Sequence, residues 1–180
     1  MLNSKETRVT STKKKTVYIL IGPKGSGKSH IGELLQDKLG VKFLRVEPLL
    51  IEHIKQFGLP EDGLVRDGFD LEEQAVREIL ATENSVLFEA TGTSIFFPSV
   101  LENLGQSYNI KLVRIHCPLD ICYQRIEERD QDGQFFVSNE MMKSINERAA
   151  KVTFDWDLEI DNSAPASNED IVSQFSVIHR

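Results

Sequence analysis

The chain has 180 residues, 40% of them hydrophobic and 27% charged, with a net charge of −7. That composition suits a globular chain of one domain and excludes a disordered or fibrous one. The acidic balance excludes a chain-wide nucleic-acid surface, and no apolar run approaches the ~18 residues of a membrane span.

Residues 1–15 carry a net charge of +4, leaving −11 for the remainder. They hold almost nothing apolar, so they read as a solvated basic tail before a domain over residues 16–180. No aromatics interleave the lysines, which argues against a nucleic-acid arm. The terminus lacks the apolar core of a secretory signal. Cys117 and Cys122 are too few for a disulfide framework and lie outside any zinc-ligand spacing. A reduced, cytoplasmic, monomeric protein is expected, with no nucleic acid and no membrane among its partners.

Short apolar runs then alternate with helical periods. VYILI (residues 17–21) reads as a strand buried on both faces. Ile31, Leu34, Leu35 and Leu39 give a helix over 28–39, closed by Gly40. VKFLRV (41–46) predicts a second strand, and Leu49, Leu50, Ile54 and Phe57 a helix with Pro48 in its first turn. Residues 58–68, with three glycines and a proline, read as a loop. Leu71, Ala75, Ile79 and Leu80 line the next helix, SVLFEA (85–90) is a third strand, and 98–104 a short helix.

IKLVRIHC (110–117) is a fourth strand, stopped by Pro118. Leu119, Cys122 and Ile126 share a helix face, with both cysteines read as small core residues. A polar loop at 130–134 precedes a helix marked by Met141, Met142, Ile145 and Ala149. LEI (158–160) is a fifth strand, and Ile171, Val172, Phe175 and Ile178 mark a last helix. This alternation predicts an α/β fold, a three-layer sandwich around a five-stranded parallel sheet.

GPKGSGKS (22–29) fits GxxxxGK[ST], follows a predicted strand and opens a predicted helix. Gly22, Gly25 and Gly27 let the backbone curl so that its N–H groups, with those of Lys24 and Ser26 and the helix dipole, hold phosphate oxygens. Lys28 reaches the β- and γ-phosphates, and is expected to be solvated until a nucleotide provides its partner. The Ser29 hydroxyl is a hard ligand suited to Mg²⁺. His30 is grouped with this nucleotide-binding run and given no chemistry of its own. The segment after the fifth strand, IDNSAPAS (160–167), is no guanine-reading NKxD, which sets GTP switches aside and leaves small kinases.

Together GPKGSGKS, EATGTS (89–94) and CPLDICYQRIEERDQDG (117–133) resemble the nucleoside-monophosphate-kinase-like P-loop fold, and within it shikimate-kinase-like small-molecule kinases. The resemblance runs from about residue 16 to 178. It implies that Arg125 lies against adenine and Arg129 reaches the phosphates, in an RxxxR before a lid at about 130–137. Solvated arginines paired with Glu127, Glu128 or Asp130 are the plainer alternative. Arg148 resembles the arginine that returns to the phosphates from the lid's far end.

On the acceptor side, FLRVEP (43–48) puts Glu47 where the family's second aspartate stands and Arg45 in place of the first. Glu47 could orient or deprotonate an acceptor, or merely sit at a helix start. Glu89, an acid in an apolar strand, could hold a Mg²⁺-bound water or act as base. The TGT turn (91–93) resembles the family's acceptor loop but has one glycine for three, and Asp70 stands where a substrate-binding arginine is expected. Arg45, Arg66 and Arg77 are the remaining candidates for an anionic acceptor. The expected function is an ATP- and Mg²⁺-dependent phosphotransferase acting on a hydroxyl of a small molecule. The candidate catalytic residues are Lys28, Glu47, Glu89 and Arg129, with Ser29 and Glu89 at the metal. A nucleotide or sugar-nucleotide kinase of the zeta-toxin kind, and a non-catalytic ATP-binding regulator, are the alternatives.

Overall fold

The computed structural model describes residues 14–57, 65–128, 138–164 and 166–179. Its strands are β1 (Thr16–Ile21), β2 (Lys42–Leu44), β3 (Ser85–Ala90), β4 (Asn109–His116) and β5 (Leu158–Asp161). Its helices are α1 (Lys28–Leu39), α2 (Val46–Phe57), α3 (Val65–Thr82), α4 (Phe97–Gly105), α5 (Leu119–Glu127), α6 (Asn139–Ala149) and α7 (Asn168–Ser176). The strands form one sheet in the order β2-β3-β1-β4-β5, and every pairing is parallel.

Strand alternation builds the layers. Tyr18 and Leu20 of β1 face a core shared with Ile31 and Leu35 of α1 and Ile171 and Phe175 of α7. Val17, Ile19 and Ile21 face the opposite core, closed by Val76 and Leu80 of α3 and Phe97, Val100 and Leu104 of α4. A strand flanked by two cores carries apolar residues at every position, which is why β1 reads as a continuous run. β1 lies between β3 and β4, so the chain leaves it in one direction toward β2 and returns on the other side at β4. The crevice at its carboxyl end is where such sheets bind ligands.

Several expectations shift. β2 ends at Leu44, and Arg45 leads straight into α2, so the expected strand over 41–46 is half its length. α3 starts at Val65, which takes Arg66, Asp67 and Gly68 out of the expected loop; Gly68 is buried against Leu50 of α2. Met141, one of the residues that mark the helix at 139–149, is 55% exposed. Lys15, the end of the basic segment, is anchored: its carbonyl accepts from Asn109 N and its Nζ donates to Leu80 O. Residues 1–13 of the tail, the expected lid at 130–137 and Arg129 lie outside the described residues. Among the described residues, no helix is long and apolar enough to cross a membrane.

Glu72 of α3 is 4% exposed, and among the described residues its Oε1 has no hydrogen-bond partner. Burial pushes its carboxyl up to about 8, and the Glu73 charge adds to the effect. A folded-state value above the unfolded one means stability that is full below the unfolded value and lost as pH rises toward 8. Glu72→Leu removes this titration. We expect the variant to be more stable than the parent at pH 8 by on the order of 2 kcal/mol, with the gain shrinking toward pH 5. Thermal unfolding across that range checks it; a gain independent of pH would show that Glu72 is already ionised when folded.

Candidate active site

The phosphate loop spans the turn from β1 to α1. Gly25 and Gly27 adopt φ of +86° and +97°, the left-handed region that favours glycine. A Cβ at Gly25 would stand 2.3 Å from Cys122 O, and one at Gly27 would stand 2.3 Å from Asn162 Nδ2, so the neighbours demand glycine as well. α5 and the end of β5 therefore press the loop into its curl. Asn162, at the end of β5, donates to Ser26 O at 2.8 Å. Asn146, fully buried in α6, brackets Lys24: it accepts from Lys24 N at 2.8 Å and donates to Lys24 O at 3.0 Å.

Lys28 corrects an expectation. It is 7% exposed, and its Nζ donates to Gly22 O at 2.9 Å and Pro23 O at 2.7 Å. The ammonium therefore has partners inside the loop instead of being solvated. Burial holds its pKa below the usual lysine value, and the Glu89 carboxylate opposes that shift. Ser29 Oγ donates to Glu89, within 2.9 Å of Oε1 and 3.0 Å of Oε2. The first turn of α1 and the end of β3 thus bring the expected metal pair together.

This arrangement fits a nucleotide and a hard divalent cation. Ser26 Oγ is buried in the loop with no partner among the described residues. Ser29 and Glu89 provide hard oxygen donors, and no group of three or more His, Cys, Asp or Glu gathers at any metal site among the described residues. That sparse set suits Mg²⁺, which takes one or two protein oxygens and fills its shell with phosphate and water.

Glu47 sits in the first turn of α2, and its Oε1 lies 2.5 Å from Lys24 Nζ. The Thr91 and Thr93 hydroxyls meet at 3.0 Å across Gly92, at the end of β3. Arg125 donates to Cys117 Sγ at 3.4 Å, and both cysteines are buried as expected. Burial pushes the Cys122 thiol up to about 12, far from nucleophilic use. His30 is exposed beside the loop.

The other arginines are paired or exposed. Arg45 pairs with Glu33 of α1 at 3.3 Å. Arg77 bonds Asn103 O and pairs with Glu73, and its guanidinium lies 5.7 Å from the Tyr108 ring centre. Tyr108 precedes β4, so Arg77 is at the opposite end of the sheet from the phosphate loop. Arg148 is exposed and bonds Ser144 O of its own helix, and Asp70 and Arg66 are exposed on α3. Sequence reading missed Asn146 and Asn162; the signal for Asn162 is an asparagine set directly after an apolar strand.

A sequence model of the family described as shikimate kinase matches residues 24–176. The chain belongs to the shikimate kinase family. It is 29% identical over 171 residues to a shikimate kinase of Rippkaea orientalis, covering 87% of this chain and 83% of that one. It is 26% identical over 147 residues to a shikimate kinase of Persephonella marina, covering 78% of this chain and 85% of the other. A gluconokinase structure from Sinorhizobium meliloti overlays with a TM-score of 0.60 at 18% identity, covering 91% of this chain and 90% of that one. That likeness shows the fold alone. Family membership makes the chain a small-molecule kinase with a nucleotide-binding loop.

Proposed function

We propose that this chain transfers the γ-phosphoryl group of ATP to a hydroxyl of a small molecule. The observation that carries the reading is the Lys28–Ser29 pair at the start of α1, with Glu89 on the Ser29 hydroxyl. The loop N–H groups other than those of Lys24 and Ser26, which already bond Asn146 and Pro23, hold the phosphates, and Lys28 swings from the Gly22 and Pro23 carbonyls to the transferred group. Arg129 adds positive charge there, while Arg125 lies against the base. Ser29 and Glu89 would hold Mg²⁺, which would supply charge neutralisation at the phosphates. The acceptor oxygen forms the new bond to phosphorus, the bond to the β–γ bridging oxygen breaks, and ADP leaves. Glu47 orients the acceptor and takes its proton. Positioning and charge stabilisation supply most of the rate.

Shikimate is the acceptor that the curated relatives suggest, and gluconate the one a structural neighbour suggests. The exposed Asp70, in place of an anion-binding arginine, favours an acceptor other than shikimate. A monomer working in the cytoplasm belongs to the same proposal. The test follows ADP release from MgATP with shikimate, gluconate, neutral sugars and nucleosides, and identifies the product by phosphorus NMR. Acceptor-dependent release of ADP supports the reading. Tight MgATP binding with no acceptor-dependent turnover across the panel would replace it with a non-catalytic ATP-binding protein.

A further inference from the structure

Lys24 stands where three elements meet. Its main-chain N–H and carbonyl are both taken by Asn146 of α6, which fixes the root of its side chain. Its ammonium reaches outward from the loop to Glu47 of α2. The partners are far apart in sequence, 23 residues for Glu47 and 122 for Asn146, so neither contact follows from local geometry.

What makes the contact consequential is how α2 is held. None of its described side chains is fully buried. Val46 packs only partly against the core, and Leu50 meets Gly68 of α3. A helix with only partly buried apolar side chains opens at lower free-energy cost than a fully buried one, so a polar tether at its first turn bears more on its position. The first turn of α2 is also where Glu47 must be placed to meet an acceptor.

We infer that Lys24 is a positioning residue that ties the acceptor side of the site to the phosphate loop, holding the Glu47 carboxylate and the first turn of α2 at the end of β2. The inference rests on the phosphotransferase reading above for what Glu47 does, but not for where it is held. Lys24 acts through Glu47, to whose carboxylate its ammonium is directed. The pair is partly exposed, with side chains 26% and 37% accessible, so salt weakens it.

The test is a double-mutant cycle of Lys24→Met, Glu47→Gln and the double variant, with Lys24→Arg as the conservative replacement. Affinity for the Mg²⁺ complex of a non-hydrolysable ATP analogue should stay within about threefold in all four. Hydrogen exchange in the first two turns of α2 should rise about tenfold in Lys24→Met and Glu47→Gln, no further in the double variant, and return toward the parent in Lys24→Arg. Raised salt should speed that exchange in the parent and leave Lys24→Met unmoved. With whichever acceptor of the panel turns over, kcat/KM for the acceptor should fall about tenfold in Lys24→Met while KM for ATP holds.

Additive effects of the two single changes would overturn the inference, since the residues would then act separately. So would a tenfold loss of analogue affinity in Lys24→Met, which would make Lys24 a phosphate ligand. If no acceptor turns over, the phosphotransferase reading fails, while the exchange cycle still decides whether the clasp exists.

Discussion

Lys28→Met is expected to abolish phosphoryl transfer, by about 10²-fold or more, and to weaken nucleotide binding while the fold survives. Methionine matches the lysine stem in length and fits the same buried channel beside Gly22 and Pro23. The cost to the empty protein is two hydrogen bonds to carbonyls, which a neighbouring main chain or water can partly replace; that is about 1 kcal/mol of stability each. The cost to the bound state is greater. Burial already disfavours the ammonium in the empty loop, and the charge is retained with the help of Glu89. Phosphate oxygens would provide the opposite charge that the loop lacks. Turnover of MgATP, analogue affinity and the thermal midpoint together check this. Parent-rate turnover in the variant would remove the loop from the chemistry.

The donor half of the site was legible because its signal is contiguous. Eight residues between a buried strand and an amphipathic helix specify the curl, and the structure adds the reasons why Gly25 and Gly27 tolerate no Cβ. The sheet was legible for a similar reason, since a strand covered on both faces has no polar alternation to confuse it. The acceptor half was not. Arg45 and Arg77 carry the right charge in the right stretch of sequence, yet one pairs across to Glu33 and the other lies against Tyr108. The end of β2 was misplaced because its apolar pattern runs on to Val46, which opens α2, and the start of α3 because Gly68 is a helix breaker in general and a helix member here. Asn146 and Asn162 act on the loop from 122 and 136 residues away, and a buried asparagine has no periodicity by which to be noticed.

Glu89→Gln separates the metal side of the site from the acceptor side. The change keeps volume and keeps an acceptor for the Ser29 hydroxyl, but removes the charge at the end of β3. If Glu89 orients Ser29 and the water shell of the cation, the variant should need more Mg²⁺ for half-maximal turnover, and its kcat should fall about 10²-fold at saturation. Ser29→Ala should move the magnesium midpoint in the same direction. The pair changed together should cost little more than either alone, because the two side chains share one hydrogen bond and one task. Glu47→Gln should leave the midpoint where it is and lower transfer instead, since its partner is Lys24 and its place is the start of α2. A magnesium titration of kcat and of KM for ATP across the four variants distinguishes these roles. Should Glu47→Gln shift the midpoint as far as Glu89→Gln does, both carboxylates serve one cation, and the assignment of Glu47 to the acceptor is withdrawn. Should Glu89→Gln leave the midpoint unmoved while transfer falls, Glu89 is the base, and the metal rests on Ser29 and the phosphates.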